Sequence, residues 1–114
     1  MEEPEQMVAL RWAFRERHFV LRFHAHVEML DEGLAVGSIT EAGAQSELLE
    51  DYPTRREGHT KLLLGYASED RPIHIVVNVS AFESDWAEPL AVVTVYEPEG
   101  PGWLDERTRR VEEP

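Results

Sequence analysis

From Glu47 onward the pattern of this chain changes from helical spacing to a period of two, most clearly in Ile73 to Val79, and that change constrains its fold more than any other feature. Ile73-His74-Ile75-Val76-Val77-Asn78-Val79 sets Ile73, Ile75, Val77 and Val79 on one side of an extended chain and His74, Val76 and Asn78 on the other. Lys61 to Ala67 and Leu90 to Tyr96 also read as strands. Ser68-Glu69-Asp70-Arg71-Pro72 is a turn between the first two, built from turn-forming residues. Residues 82–89 form a longer polar connection, and Pro98 with Gly100-Pro101-Gly102 ends the last strand. Strands that follow one another over short links pair as an antiparallel meander.

The first half has a different period. Met7, Leu10 and Phe14 recur at helical spacing, which predicts a helix from Met7 to about Arg17 with Arg11 and Arg15 side by side. Phe19, Leu21 and Phe23 alternate with Val20 and Arg22, the pattern of a short strand or of a continuing helix. His24 to Glu32 reads as a second helix, with Ala25, Met29 and Leu30 turned inward and Gly33 as its stop. Ser38 as N-cap with Glu41 three residues on suggests a capping box opening a short third helix that ends near Gln45. Glu47 to Tyr52 is a weak strand closed by Pro53, and Thr54 to Gly58 a charged turn. The expected fold is α+β, in two layers, with N-terminal helices packed on a small antiparallel sheet. Residues 1–6 read as a disordered acidic tail, 7–104 as one domain and 105–114 as a charged C-terminal tail, with a short helix expected around Trp103 to Arg110.

Composition narrows the class. A chain of 114 residues supports one core. Its 42% hydrophobic and 30% charged residues fit a globular chain and not a disordered one. The absence of cysteine excludes disulfides, thiolate metal sites and cysteine nucleophiles. No apolar run approaches the roughly 20 residues that span a bilayer. The start, Met1-Glu2-Glu3-Pro4-Glu5, is acidic where a signal peptide is basic, so a cytoplasmic chain is expected. The formal charge of −12 disfavours generic binding to phosphate backbones. Yet Arg11, Arg15, Arg17 and Arg22 fall close together, either as a local positive patch or as a solvated helix face, and Arg55, Arg56 and Lys61 form a looser second group.

Several segments in order carry a resemblance. They are Phe23-His24-Ala25-His26-Val27-Glu28-Met29 running into Asp31-Glu32-Gly33-Leu34, then Glu50-Asp51-Tyr52-Pro53, then Leu64-Gly65-Tyr66, then Arg71-Pro72-Ile73-His74-Ile75-Val76-Val77, and last Thr94-Val95-Tyr96-Glu97-Pro98 followed by Trp103. Together they resemble the bacterial family called domain of unknown function 4258, over about residues 8–104. That resemblance implies the fold group of RelE/ParE-like and BrnT-like toxins, in which helices pack on a small antiparallel sheet. It implies an RNA-cleaving or translation-blocking toxin, neutralised by a small antitoxin-like protein of the zinc-finger kind often encoded beside such members. The alternative is a non-catalytic binding module on the same fold, whose acidic surface takes a basic partner or which acts as a homodimer. Many sequences of this kind carry arginine just before the methionine of the His-Ala motif, where this chain has Glu28. An acid there weakens any phosphate-binding role of that helix.

Metal-free RNA cleavage needs a base, an acid and a cation around one phosphate. The candidates are His24, with His26 second to it, and His74 as base or acid, Arg22 and Arg71 as cations, and Tyr96 as proton donor. Each also has a structural reading. His24 suits a helix cap, His74 an outward or groove-facing strand position beside Asn78, Tyr96 a core aromatic with a wet tip, and Arg71 a hairpin residue. His24 and His26 would share a face on a strand and point apart on a helix. No third ligand follows at metal spacing, and neither a metal nor a cofactor is expected. Trp12, Trp86 and Trp103 read as packing or partner-contact residues rather than base-stacking platforms. There is no P-loop, dinucleotide-binding glycine motif, zinc-protease motif or nucleophile elbow.

Overall fold

The computed structural model describes residues 5–98 and residue 107. Residues 1–4, 99–106 and 108–114, which hold most of the tails expected at 1–6 and 105–114, the end of the expected domain and the helix expected around Trp103 to Arg110, lie outside the described residues. The chain runs α1 (Glu5–Arg15), β1 (Phe19–Leu21), α2 (Phe23–Asp31), α3 (Val36–Ala44), β2 (Glu47–Arg55), β3 (Gly58–Ala67), β4 (Arg71–Asn78), α4 (Ser80–Ser84) and β5 (Leu90–Tyr96). A 3₁₀ turn at Ser68–Asp70 joins β3 to β4. Helices and strands make one α+β domain of the expected kind, but the sheet is mixed. Its order is β1-β5-β4-β3-β2. The meander β2-β3-β4-β5 is antiparallel throughout, whereas β1 pairs parallel to β5, Phe19 opposite Leu90 and Leu21 opposite Val92. A partner some seventy positions away leaves no local trace in sequence, which is why an all-antiparallel sheet was expected.

Three helices cover one face. Ile73, Ile75 and Val77 of β4 and Leu63 of β3 join Leu10, Ala13 and Phe14 of α1, Ala25 and Met29 of α2 and Ile39 and Ala42 of α3 in a single apolar core. Close approach needs small residues in two places. A Cβ on Gly65 would overlap the backbone carbonyl of Ala42, and one on Gly43 would overlap the Phe14 ring. Helix α1 stops where Arg17 takes a left-handed conformation (φ 56°), with the amide of His18 closing back on the carbonyl of Ala13 at 2.7 Å.

Several local expectations are corrected. Helix α1 opens at Glu5, inside the segment expected as a tail. Helix α3 opens at Val36 with Ala35 as its N-cap, so Ser38 lies inside the first turn and caps nothing. Leu30 points outward and is 61% exposed, because Ala25 and Met29 already fill the inward stripe. Strand β2 continues through Pro53, which an edge strand tolerates, with a register irregularity between Tyr52 and Arg55. The polar connection after β4 contains α4, whose Phe82 is buried. His74 is fully buried rather than groove-facing. Leu62, Leu64 and His74 are all buried although alternation turns them away from the helices, so the interior β-strands are covered on both faces.

Candidate functional site

The five residues expected to form a catalytic site do not meet. Arg22 is the N-cap of α2, its amide bonded to the carbonyl of Val92 at 2.9 Å and its side chain exposed. His24 lies in the first turn of the same helix, 70% exposed, with Nε2 3.2 Å from Oε1 of Glu28 one turn on. That contact is an ion-pair approach without hydrogen-bond alignment. At the other end of α2, about 13 Å along a nine-residue helix, Arg71 donates from Nη2 to the carbonyl of Glu32 at 2.6 Å and pairs through Nε with Glu97. These bonds tie the start of β4 to α2 and to the end of β5, and commit the guanidinium to structure. His74 and Tyr96 lie on the opposite face of the sheet, Nδ1 to hydroxyl 3.2 Å apart. The imidazole of His74 has no solvent exposure, so no phosphate chain reaches it. His26 is exposed on α2, and the helical turn aims it away from His24.

Glu28 is the chemically distinctive member of the α2 group. Burial raises its pKa above the ordinary carboxylate value. His24 and the backbone N–H of Val95 oppose that rise, while Glu32 and Asp31 add to it. Glu28 sits just beyond the end of three-residue β1, where no strand among the described residues continues the pairing along that edge of β5. Its carboxylate there accepts from the backbone N–H of Val95, a role an arginine could not fill. His24 with Glu28 is thus one imidazole–carboxylate pair, with Arg22 at the same end of the helix.

A second cluster has no counterpart in the sequence reading. Both ring nitrogens of His59 lie 2.6 Å from carboxylate oxygens, Nε2 from Asp51 and Nδ1 from Glu83. Both contacts are hydrogen bonds only when the ring carries two protons. Lys61 Nζ reaches the same Asp51 oxygen at 3.0 Å, its side chain 4% exposed. Gln6 donates to Glu83 at 2.5 Å, and Ser80 Oγ accepts the His59 amide at 2.9 Å. Burial alone would raise the pKa of Asp51, but the bonds from His59 and Lys61 outweigh it and hold the carboxyl below its ordinary value. The cluster staples α1, β2, β3 and α4 together. With every ring nitrogen engaged, it offers no free base.

A further concave feature is apolar. A groove of about 630 Å³ runs between α1 and the segment after α4, lined by Val8, Ala9, Trp12, Arg15 and Trp86. A smaller hollow of about 320 Å³, lined by Gln6, Ala9, Phe82, Glu83 and Trp86, adjoins it across Ala9 and Trp86. Trp86 is 62% and Trp12 38% exposed. The wall is pre-formed. Trp86 stacks on Phe82 at 6.1 Å and 10°, its carbonyl is held by His18 Nε2 at 3.0 Å, and His18 in turn packs at 5.6 Å on Trp12. Val8 and Trp12 at helical spacing are the signal in sequence that could have found this face. The second wall depended on α4, which the sequence did not reveal.

The fold and these sites define an α+β domain with a built apolar groove and dispersed titratable groups. The chain belongs to the family described as domain of unknown function (DUF4258), whose model matches residues 21–97. No curated protein matches the chain. No solved structure matches it either. Among the described residues, no group of three His, Asp or Glu side chains is arranged to hold a metal ion, and no helix is long and apolar enough to cross a membrane.

Proposed function

We propose that this chain is a non-catalytic protein-binding module whose α1/α4 groove receives an apolar anchor from a small basic partner. The observation that carries this reading is the pair of part-exposed tryptophans, Trp12 and Trp86, lining one pre-formed apolar groove. Half-exposed aromatic side chains around a pocket are the usual centres of binding energy in protein interfaces. Glu83, Asp85 and Glu88 stand exposed around Trp86, on a chain of net charge −12. That field draws in a partner carrying lysine or arginine beside its anchor. The toxin-like ribonuclease reading finds less support, because His24, Arg71 and the His74–Tyr96 pair occupy three separate places.

The test is a selection of displayed peptides on the folded chain, followed by titration of the winners through tryptophan fluorescence. The expected winners carry a large apolar residue flanked by basic ones, bind more weakly as salt rises, and lose binding on Trp86→Ala. Winners indifferent to Trp86→Ala would refute the groove. Growth arrest with RNA fragmentation on induction of this chain in a bacterial host, abolished by His24→Ala, would replace the proposal with the ribonuclease reading.

A further inference from the structure

Helix α2 presents its most apolar stripe to solvent. Ala25 and Met29 face the core. Directly opposite, Phe23, Val27 and Leu30 are 82%, 38% and 61% exposed. At about 100° per residue these three fall within an arc of about 60°. An amphipathic helix normally places charged residues there, so the outward face is built to be covered.

The charges beside the stripe indicate what covers it. The N-terminal end of α2 exposes Arg22, His24 and His26, and its C-terminal end exposes Asp31. The helix has no acid in its first turn and no base in its last, the reverse of what its own dipole favours. Among the described residues neither Arg22 nor Asp31 makes an ion pair. His24 and Asp31 lie on the same flank of the stripe, about two turns apart. A second α2 laid antiparallel on the first corrects the polarity of both. Phe23 then meets the partner copy's Leu30, the two Val27 side chains meet near the two-fold axis, and each His24 faces the partner copy's Asp31.

We infer that α2 is a self-association surface and that its occupant is a second copy of this chain, in an antiparallel two-fold pairing. Three apolar side chains form a small contact beside the roughly 800 Å² per partner of a standard interface, so weak association is expected, with a dissociation constant on the order of 100 μM. This face is separate from the α1/α4 groove, so the two proposals stand or fall independently.

Sedimentation equilibrium of the full chain across a concentration series tests it. Wild type is expected to dimerise reversibly, and Phe23→Asp with Leu30→Asp to stay monomeric at every concentration. Because both residues are exposed, the melting temperature of the monomeric variant is expected to hold. A charge cycle tests the pairing itself. His24→Glu and Asp31→Lys alone are each expected to weaken association about 3-fold or more, and together to restore it to within about 2-fold. A wild type that remains monomeric at millimolar concentration, an aspartate variant that still dimerises, or a double variant as weak as the two losses combined would each overturn the inference.

Discussion

His74 Nδ1 lies 3.2 Å from the hydroxyl of Tyr96, across directly paired positions of β4 and β5 and on the sheet face turned away from the helices. The rings meet edge to face with centroids 5.1 Å apart. Burying an imidazole without exposure is tolerable only when its nitrogens are satisfied. Tyr96→Phe keeps the packing and removes that partner. It is expected to cost about 1–2 kcal/mol, read as a lower midpoint in urea unfolding with an unchanged slope. An unchanged midpoint would mean that the hydroxyl does not serve His74.

The Asp51 cluster gives a prediction with a definite sign. The folded pKa of Asp51 is below its unfolded value, so the unfolded chain binds more protons near pH 4. The stabilisation is therefore full above the ordinary aspartate range and fades as pH falls through the folded value. Asp51→Asn is expected to cost about 1–2 kcal/mol at pH 7, after allowance for a carboxylate that is partly solvated. The gap between wild type and variant should close as pH falls below the ordinary aspartate range and through the lowered folded value. A gap that persists at lower pH would show that the charge is not what stabilises.

Lys61 offers the complementary case. Its ammonium is buried against a half-exposed Asp51, so much of the Coulomb gain is offset by desolvation. Lys61→Met is expected to leave stability within about 1 kcal/mol of wild type, whereas Asp51→Asn strands the buried cation. Thermal unfolding of the two variants side by side separates these outcomes.

Glu28 titrates in the opposite sense. Its folded pKa is raised, so the native state binds more protons than the unfolded chain just above the ordinary glutamate range. Its contribution to stability falls as pH rises through that window. Glu28→Gln is expected to flatten the stability profile just above the ordinary glutamate range, where the upward shift acts. A steeper profile in the variant would contradict the assignment of burial as the leading cause.

Gly65 packs on the backbone of α3, and backbone cannot move aside as a side chain can. Gly65→Ala is expected to destabilise by about 1–3 kcal/mol, as overpacking of a close-packed interface does. An equilibrium unfolding midpoint equal to wild type would mean that α3 shifts freely on the sheet.

The alternation of Ile73, Ile75, Val77 and Val79, the helical spacing of Met7, Leu10 and Phe14, and a turn after Ala67 were legible from the residues, because each depends on contacts within a few positions, although the turn ends at Asp70, and Arg71 and Pro72 already pair in β4. So were α2 and its glycine stop, with α2 expected to open at His24 and found to open at Phe23. The absence of cysteine closed off a whole chemistry before any fold was known. Tertiary structure alone decided the rest. The parallel seating of β1 beside β5, the burial of His74 from both sides, the staple of His59 between Asp51 and Glu83, and the outward aim of Leu30 all depend on which distant surfaces meet. Hydrophobic period specifies that a face is buried, but not against what. A charged side chain is read as solvated until a strand register places its partner beside it, and that register is fixed by the packing of the whole sheet.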